Sequence, residues 1–399
     1  MTPVAPSPAP SAPPAEPARA LSAPPHPTRR SRAGRVLWAL FLLVDVPLLL
    51  AAGVGLAARW LHPGPFWWAQ LVAIALPYLA VPVALAAAVP LAGRRKGWLL
   101  AHLVALVLIL WRLSPPERLR ARPVPAAGDL VVMTFNVPTV GPSERALGEA
   151  MVAVVRAEGP TVLAMQDAWV TATEPGRPAH LDVQVRAVTE RLPYRVEIPA
   201  QFGFNLGWRR NANEVPLLVR EGVGSFEVIE QRALRLSGDD DTSVGLRTRF
   251  RWQGREGVLY NVHLRSFGER KPWRDDLRLL DPTTWLPYVR QYRSAYRFRA
   301  RDVDRIADAL ARERLPVLLV GDFNDTPDTW TYRRLSRGLR DAFRVAGDGL
   351  GRTYHSRKPF VRIDYVMADP AWEIVAARVP DVRLSDHRPV VVRLRWREE

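Results

Sequence analysis

Three long apolar segments near the N-terminus constrain this chain more than any other feature of its sequence. They run from Val36 to Ala58, from Phe66 to Ala92 and from Gly97 to about Leu113. A helix needs about 20 apolar residues to cross the hydrocarbon core of a bilayer, and the first two segments are long enough. The third is shorter and spans only if the charged groups at its ends reach the two interfaces. We therefore expect a transmembrane anchor of about three helices over residues 35–113.

The segments on either side of this anchor differ from it in composition. Residues 1–34 hold ten prolines among Ala, Ser and Arg and too few large apolar groups to build a core, which predicts a disordered tail. Residues 114–128 are rich in Pro and Arg and predict a linker. Residues 129–399 alternate short β-type runs with helical runs, which predicts an α/β domain of about 270 residues.

The cysteine count and the charge exclude several classes of protein. The 399-residue chain has no cysteine, so disulfides, thiolate metal sites and cysteine nucleophiles are all excluded. The formal net charge is +16, but residues up to Arg122 carry 13 basic and three acidic side chains, a net charge of +10. The remaining +6 makes the C-terminal domain only mildly basic. Global charge is therefore poor evidence for a nucleic-acid partner.

The charged residues around the apolar segments predict an orientation in the membrane. Four closely spaced arginines stand directly before the first segment, and the positive-inside rule places them in the cytoplasm: Arg29, Arg30, Arg32 and Arg35. Three spans then put the C-terminal domain outside the cytoplasm. Arg112 and the arginines of the linker would lie outside too, against the rule, and a third segment lying in the interface would return them inside. We expect a multi-pass protein of the cell membrane with an extracytoplasmic domain.

Polar side chains recur where the β-type runs of the C-terminal domain end. They are Asn136, Asp167, His263, Asp322, Asn324, Asp364, Asp386 and His387. Taken singly, each predicts no more than a turn former or a hydrogen-bonded core residue. Asp364 stands between Ile and Tyr, and a buried carboxylate needs a partner, for which a histidine is the natural candidate. Together, oxygen donors and two histidines without cysteine suit a hard cation such as Mg²⁺ or Mn²⁺. Such a cation with carboxylate, Asn and His side chains is typical of sites that hydrolyse phosphate esters.

The stretch GDFNDTPDTW, residues 321–330, concentrates these groups. Its alternating oxygen donors resemble the start of a calcium loop, but Pro327 and Arg333 occupy the positions that require Gly and Glu. A strand-to-helix turn is also expected, with Thr326 as the helix N-cap and Pro327 as the first helical residue. The domain has neither a Walker A motif nor a serine nucleophile elbow, which counts against P-loop NTPases and α/β-hydrolases.

Six motifs carry a resemblance to a known family. In their order along the chain, MTFNV, AMQDAW, NVHL, GDFNDTP, IDYVM and SDHRPV resemble those of the endonuclease/exonuclease/phosphatase superfamily, the DNase I-like metal-dependent phosphoesterases. The resemblance covers roughly Asp129 to Arg397. It implies an α/β fold, a four-layer sandwich of two packed β-sheets flanked by helices, with the site at one edge. Members act on DNA, RNA, phosphoinositides and sphingomyelin, so the fold does not choose the substrate.

The resemblance also implies a metal site. It makes Asn136 and Asp167 groups of that site and places Asp386 in the metal or water network. The family usually has Gln-Glu where this chain reads Gln166-Asp167. Because Asp is one methylene shorter than Glu, the cation must move or accept a contact through water.

The remaining roles concern the phosphate and the attacking water. Asp322 matches the residue that orients or deprotonates the water, and Asn324 matches the group that holds a phosphoryl oxygen. His263 and His387 match the two histidines that contact the scissile phosphate, and Asp364 aligns His387. Asp322 and His387 both stay open as the general base, and Asp325 is given no role.

The function that the resemblance implies is a membrane-anchored, Mg²⁺- or Mn²⁺-dependent enzyme that hydrolyses a phosphodiester of a nucleic acid or a lipid headgroup. Arginines and aromatic residues follow His263 and suggest a cationic aromatic rim for substrate, although a solvated amphipathic helix gives the same pattern. The rim would include Arg270, Lys271, Arg274, Tyr288, Tyr292 and Tyr296. A membrane-tethered pseudoenzyme or binding module of the same fold is the alternative, and it predicts an incomplete ligand set.

Overall fold

The N-terminal part of the chain is helical. The computed structural model describes residues 32–113, 122–137, 143–171, 180–197, 212–222, 226–234, 236, 244–268 and 281–398. Its first helices are α1 (Arg32–Ala57), followed by a short 3₁₀ turn, α2 (Pro63–Ala86), α3 (Ala88–Ala92) and α4 (Lys96–Leu113). By length and composition, three stretches could cross a membrane: Arg32–Trp60, Pro63–Ala92 and Lys96–Leu113. Residues 1–31 of the predicted tail and 114–121 of the predicted linker lie outside the described residues.

The C-terminal part alternates strands and helices. Its first half contains β1 (Leu130–Asn136), α5 (Glu144–Glu158), β2 (Val162–Gln166), β3 (Val170–Thr171), α6 (Val183–Arg191), β4 (Tyr194–Glu197), β5 (Ala212–Asn213), β6 (Leu217–Arg220) and β7 (Glu227–Leu234). Its second half contains β8 (Val244–Trp252), β9 (Arg255–His263), α7 (Pro282–Arg312), β10 (Val317–Asp322), α8 (Trp330–Leu335), β11 (Arg340–Asp341), α9 (Ala342–Ala346), β12 (Asp364–Ala368), β13 (Trp372–Arg378) and β14 (Val390–Trp396).

The strands form two six-stranded mixed sheets and a small two-stranded ribbon. The first sheet has the order β13-β14-β1-β2-β6-β4, the second has the order β11-β12-β10-β9-β8-β7, and β3 pairs with β5 in the ribbon. Each large sheet contains one parallel pair, β1 with β2 and β9 with β10, while its other pairs are antiparallel. The two parallel pairs occupy the middle of their sheets, and the consecutive buried residues of their strands show that both faces are covered there.

Three apolar cores separate four layers. The first core lies between the two sheets and holds Leu130 and Val132 of β1 with Val320 of β10. The second packs Met133 and its neighbours against α5 and α6, and the third packs Leu319 against α7 and α8. Because the central strands are buried on both faces, they read as continuous apolar runs rather than as alternating ones. The four-layer sandwich implied by the sequence is confirmed.

Local capping explains the helix boundaries. Ser143 precedes α5 and its Oγ accepts a hydrogen bond from the backbone N–H of Ala146, as expected of an N-cap serine. Helix α7 begins at Pro282. Asp281 caps it by accepting from the N–H of Thr283 at 3.0 Å, and proline suits the first helical position because its missing N–H has no partner there.

The prediction that Thr326 caps the helix after β10 is wrong. That helix, α8, begins at Trp330, and Thr329 occupies the N-cap position. The N–H and the hydroxyl of Thr329 both donate to the carbonyl oxygen of Thr326, at 3.2 and 2.8 Å. The backbone therefore completes a turn through Pro327 before the helix starts, and the Thr326 side chain has no capping role.

Gly321 allows β10 to lie close to β9 just before the strand ends. Its φ is +129°, and an added Cβ would stand 1.9 Å from the carbonyl oxygen of Val262. We expect Gly321→Ala to lower the free energy of unfolding by about 1–3 kcal/mol for the overlap, beyond about 1–2 kcal/mol for the backbone conformation. Gly338→Ala is the control, since Gly338 has φ +78° but open space around it. Equal losses in denaturant unfolding of the two variants would contradict the steric argument.

Candidate functional site

The carboxyl ends of the two parallel strand pairs meet at one edge of the sandwich. Asn136 ends β1 beside Gln166, and Asp322 ends β10 beside His263. Because parallel strands bring their carboxyl ends to the same edge of a sheet, these side chains lie close together. The amide nitrogen of Asn136 donates to Oδ2 of Asp322 across the two sheets at 3.0 Å. The edge predicted from the strand ends is therefore one buried polar site.

A histidine lies between two carboxylates at this edge. β12 runs antiparallel to β10, which places Asp364 directly opposite Asp322. Nδ1 of His387 lies 3.1 and 3.0 Å from the two carboxylate oxygens of Asp364, and its Nε2 lies 3.7 Å from Oδ2 of Asp322. All three side chains are buried. Asp364 thus has the histidine partner that its buried position requires.

The two carboxylates determine the charge of this histidine. Burial disfavours the imidazolium, but Asp364 and Asp322 outweigh it and raise the pKa of His387 to about 10. Burial and the neighbouring Asp364 raise the pKa of Asp322 to about 6, against the opposing effect of the histidines. His387 therefore holds its proton more tightly than a free imidazole, and Asp322 accepts a proton more readily than a free carboxylate.

The turn after β10 closes back onto Asp322. The backbone N–H of Asn324 donates to Oδ1 of Asp322 at 2.7 Å, and its side-chain amide donates to the carbonyl of Leu264 at 2.8 Å and to Oδ2 of Asp322 at 3.3 Å. Asn324 has φ +50°, a conformation that Asn adopts more readily than most residues. Its amide can bind a phosphoryl oxygen only by giving up the longer contact, with Asp322.

A second group of side chains includes a carboxylate that the sequence analysis missed. Ligand atoms of Asp167, Glu214 and His263 lie within 4.8 Å of one another. Nδ1 of His263 is 3.4 Å from Oδ1 of Asp167, and although burial opposes it, Asp167, Asp322 and Glu214 raise the pKa of His263. Asp167 has φ +59°, a left-handed conformation of the kind that persists at functional sites.

Glu214 reaches this group through the pairing of β6 with β2. The two strands are antiparallel, with Ala164 opposite Leu217, so continuing the register by three residues brings Glu214 opposite Asp167. Sequence reasoning missed it because β6 has only four residues and was not predicted. An acidic residue just before a short apolar run indicates a site residue only when the strand that pairs with that run is known.

The residues of this group fit a divalent cation. The carboxylates of Asp167 and Glu214, in a chain without cysteine, make an oxygen-rich donor set suited to Mg²⁺ or Mn²⁺, and the role of Asn136 as a further ligand stays a prediction. Glu214 adds a carboxylate beside Asp167, whose side chain is one methylene shorter than the Glu that is usual in the family. Among the described residues, Asp386 joins neither carboxylate–histidine group, and its Oδ1 accepts from the Ser385 hydroxyl at 3.3 Å. Its place in the metal network stays a prediction.

A model of the Endonuclease/Exonuclease/phosphatase family matches residues 133–387, which hold every residue of the site described above. The chain belongs to the endonuclease/exonuclease/phosphatase family. No curated protein matches it significantly.

Solved structures of similar fold include two from Bacteroides and one human protein. An endonuclease/exonuclease/phosphatase from Bacteroides vulgatus is 17% identical, with 67% of this chain and 99% of that chain covered and a TM-score of 0.46. The Bacteroides thetaiotaomicron mannosyl-6-phosphatase is 18% identical, with 67% and 100% covered and a TM-score of 0.47. The human Nocturnin catalytic domain is 16% identical, with 71% and 100% covered and a TM-score of 0.46. Identities this low do not bear on the substrate.

The predicted substrate rim of this family member is only partly described. Arg270, Lys271 and Arg274 lie outside the described residues. Tyr288 and Tyr296 are buried, and the Tyr296 ring packs edge-on against Phe267, so these two are not part of an aromatic surface. Helical spacing put them on the inner face of α7, while Arg290, Arg293 and Arg297 lie on its exposed face.

Asp325 has a structural role that the sequence analysis did not assign. Its carboxylate lies 3.3 Å from the guanidinium of Arg299, and both side chains are fully buried. Arg299 also donates to the carbonyl of Arg265 through Nε and Nη2, at 2.9 and 2.7 Å. The ion pair therefore ties the turn after β10 to α7 and to the segment after His263.

We expect Asp325→Ala to lower the free energy of unfolding by about 3–5 kcal/mol, because it leaves the buried Arg299 charge without its partner. The double variant Asp325→Leu/Arg299→Met removes both charges and should lose less than the sum of the single variants. Glu149→Ala breaks the exposed pair with Arg145 on α5 and should change stability little. Denaturant unfolding that shows an additive double variant, or an Asp325→Ala as mild as Glu149→Ala, would contradict the role of this pair.

Proposed function

We propose that the chain is a membrane-anchored, divalent-cation-dependent phosphoesterase that hydrolyses phosphodiester bonds by in-line attack of water. One observation carries this proposal: the buried Asp364–His387–Asp322 arrangement lies beside the oxygen-rich group of Asp167, Glu214 and His263. Phosphate ester hydrolysis depends on positioning the water and stabilising developing charge. The substrate class is a phosphodiester of a nucleic acid or of a lipid headgroup.

The protonation states divide the catalytic work between Asp322 and His387. Asp322, ionised at neutral pH, accepts the proton of the attacking water. His387 already carries its proton, so it donates a charge-assisted hydrogen bond to a phosphoryl oxygen while Asp364 holds its ring. Of the two candidates left open by the sequence, Asp322 is therefore the general base.

The cation site completes the arrangement. A bound Mg²⁺ or Mn²⁺ would neutralise charge on the non-bridging phosphate oxygens. Asp167, Glu214 and the amide oxygen of Asn136 would hold it, and His263 lies between Asp167 and Asp322, where it can contact the phosphate. A pseudoenzyme would have an incomplete ligand set, whereas Glu214 adds a carboxylate to this one. That addition supports turnover over binding alone.

We expect the protein to hydrolyse an activated phosphodiester such as bis(p-nitrophenyl) phosphate only with Mg²⁺ or Mn²⁺. Asp322→Asn keeps the shape but removes the base, so turnover should fall by about 10²–10⁴. A general base must be ionised, so wild-type turnover should be lost as the pH falls through about 6, and Asp322→Asn should lack that dependence.

Matched variants separate the general base from the rest of the site. His387→Ala should lose at least as much turnover, Asp167→Glu should be tolerated, and Asp348→Asn, on an exposed carboxylate, should retain wild-type activity. Chelation should abolish turnover, and added cation should restore it. Turnover that survives chelation, or an Asp322→Asn variant as active as Asp348→Asn, would contradict the mechanism.

For the membrane arrangement, we propose three spans with the N-terminal tail in the cytoplasm and the catalytic domain outside. The three apolar helices and the arginines before the first of them support this orientation. Alkaline phosphatase, which is active only outside the cytoplasm, should be active when fused after Gly128, and green fluorescent protein at the same position should not fluoresce. The reverse result would place the domain in the cytoplasm.

A further inference from the structure

Helix α4 is much shorter than the helical stretch it pairs with. The α4 stretch has 18 residues, and the antiparallel stretch Pro63–Ala92 has 30. At 1.5 Å per residue, 18 residues only just cross the hydrocarbon core, so Arg112 at the end of α4 lies at headgroup level. The extra residues of the longer stretch, from Pro63 to about Ile74, continue past that level.

This extension of α2 contacts the catalytic domain directly. Gln70 is buried, and its Oε1 accepts a hydrogen bond from the backbone N–H of Trp330, with 2.9 Å between the oxygen and the nitrogen. Trp330 begins α8, whose N-cap residue Thr329 makes no side-chain capping bond, so Gln70 satisfies a donor that the helix start leaves open. Further along α2, the Tyr78 hydroxyl donates to the carbonyl of Phe360. The domain therefore lies against the part of α2 that leaves the bilayer and against the next turn of the helix.

An open cleft lies between these helices and the domain. Ile74 and Pro77 of α2 and Leu113 of α4 line one side, and Leu350 and Phe360 of the domain, both exposed, line the other. The cleft opens at the level of Arg112, where lipid headgroups meet acyl chains. Its apolar rim is therefore suited to acyl chains rather than to water.

The polar lining of the cleft is cationic. Its arginines are Arg112, Arg344, Arg352 and Arg362. Arg362 is neutralised by Asp341, to which it donates at 2.9 and 2.7 Å. Within the described residues, the other three have no carboxylate within the 4.0 Å of an ion pair. Among the described residues that line the cleft, Asp328 is the only acidic one, and burial raises its pKa. The cleft as a whole favours an anion.

A buried hydroxyl in the same lining lacks a partner. Thr326 is 6% exposed, and within the described part of the chain its Oγ1 makes no hydrogen bond. A buried hydroxyl without a partner costs free energy. Thr326 does not cap α8, and neither the catalytic arrangement nor the cation group uses its side chain. An anion in the cleft would provide the missing acceptor.

We propose that the cleft between α2, α4 and the turn after Asn324 binds the headgroup phosphate of an anionic phospholipid. Arg112, Arg344, Arg352 and the Thr326 hydroxyl bind the phosphate oxygens, and the acyl chains follow the apolar surface of α2 and α4. The site is separate from the catalytic residues and holds the domain on the membrane surface. The inference rests on the proposed membrane spans, but not on catalysis.

Thermal unfolding of the full chain in lipid nanodiscs tests this site. Nanodiscs of phosphatidylcholine are compared with nanodiscs that also contain phosphatidylglycerol, and unfolding is followed by tryptophan fluorescence. A ligand that binds only the folded state raises the melting temperature, so phosphatidylglycerol should raise it. Inorganic phosphate added to phosphatidylcholine nanodiscs should not, because it lacks the acyl chains that occupy the apolar rim.

Two variants and a charge-matched control locate the effect. Arg344→Gln/Arg352→Gln should weaken the apparent affinity for phosphatidylglycerol by about 10-fold or more, whereas Arg312→Gln/Arg314→Gln, at exposed positions near the end of α7, should retain it. Thr326→Val removes the unpartnered hydroxyl. It should leave the melting temperature in phosphatidylcholine unchanged or higher, and should reduce the shift caused by phosphatidylglycerol.

Three results would overturn the proposal: equal loss in the control and cleft variants, a full shift with inorganic phosphate alone, or no shift with phosphatidylglycerol. None of these measurements uses turnover. An active enzyme without a lipid shift would contradict this site alone, and a lipid shift without phosphoesterase activity would contradict the proposed function alone.

Discussion

The structure depends on buried polar groups that are paired across the gap between its two sheets. The Asn136 amide joins Asp322 at 3.0 Å, and Nε2 of Gln166 donates to Oδ1 of Asn261 at 2.7 Å. Unpaired groups in such a place would cost several kcal/mol, so each pair fixes the position of one sheet on the other. A slip of one residue in either central strand would turn these groups away from one another. The same buried polar pairs therefore determine both the packing of the two sheets and the geometry of the site.

The charges at this edge follow from that burial. Asp322 and Asp364 flank His387, and the two carboxylates together raise the pKa of its imidazole. The carboxylates of Asp167 and Glu214 lie nearby, beside His263. In the proposed mechanism, a divalent cation beside these carboxylates would offset their charge and that of a phosphodiester, which would otherwise repel the site. The clustering of acidic side chains, as well as the identity of the donors, therefore supports the proposed cation.

Hydrophobic periodicity and the residues at strand ends were sufficient to predict part of the fold and of the site from the sequence. Fully buried strands such as β1 and β10 read as apolar runs, and the polar residues that end them, Asn136 and Asp322, lie together at the site edge. Short strands such as β6 leave too little pattern, so Glu214, which depends on the partner of β6, was missed. Thr326 was misassigned because residue type alone does not show where the backbone first becomes helical. Asp325 was overlooked because its partner Arg299 lies 26 positions earlier, on a different element.

One short segment connects the candidate catalytic site with helix α2. Between Asp322 and Trp330 the chain carries the proposed base, Asn324, the buried ion pair of Asp325 and the backbone N–H that donates to Gln70 of α2. The segment has little freedom, because Arg299 holds its middle and α2 holds its end. A displacement of α2 relative to the domain would therefore be opposed first at Trp330 and then at Asp325, before it reached Asp322. Two attachments, at Asp325 and at Trp330, therefore hold the segment between the proposed base and α2.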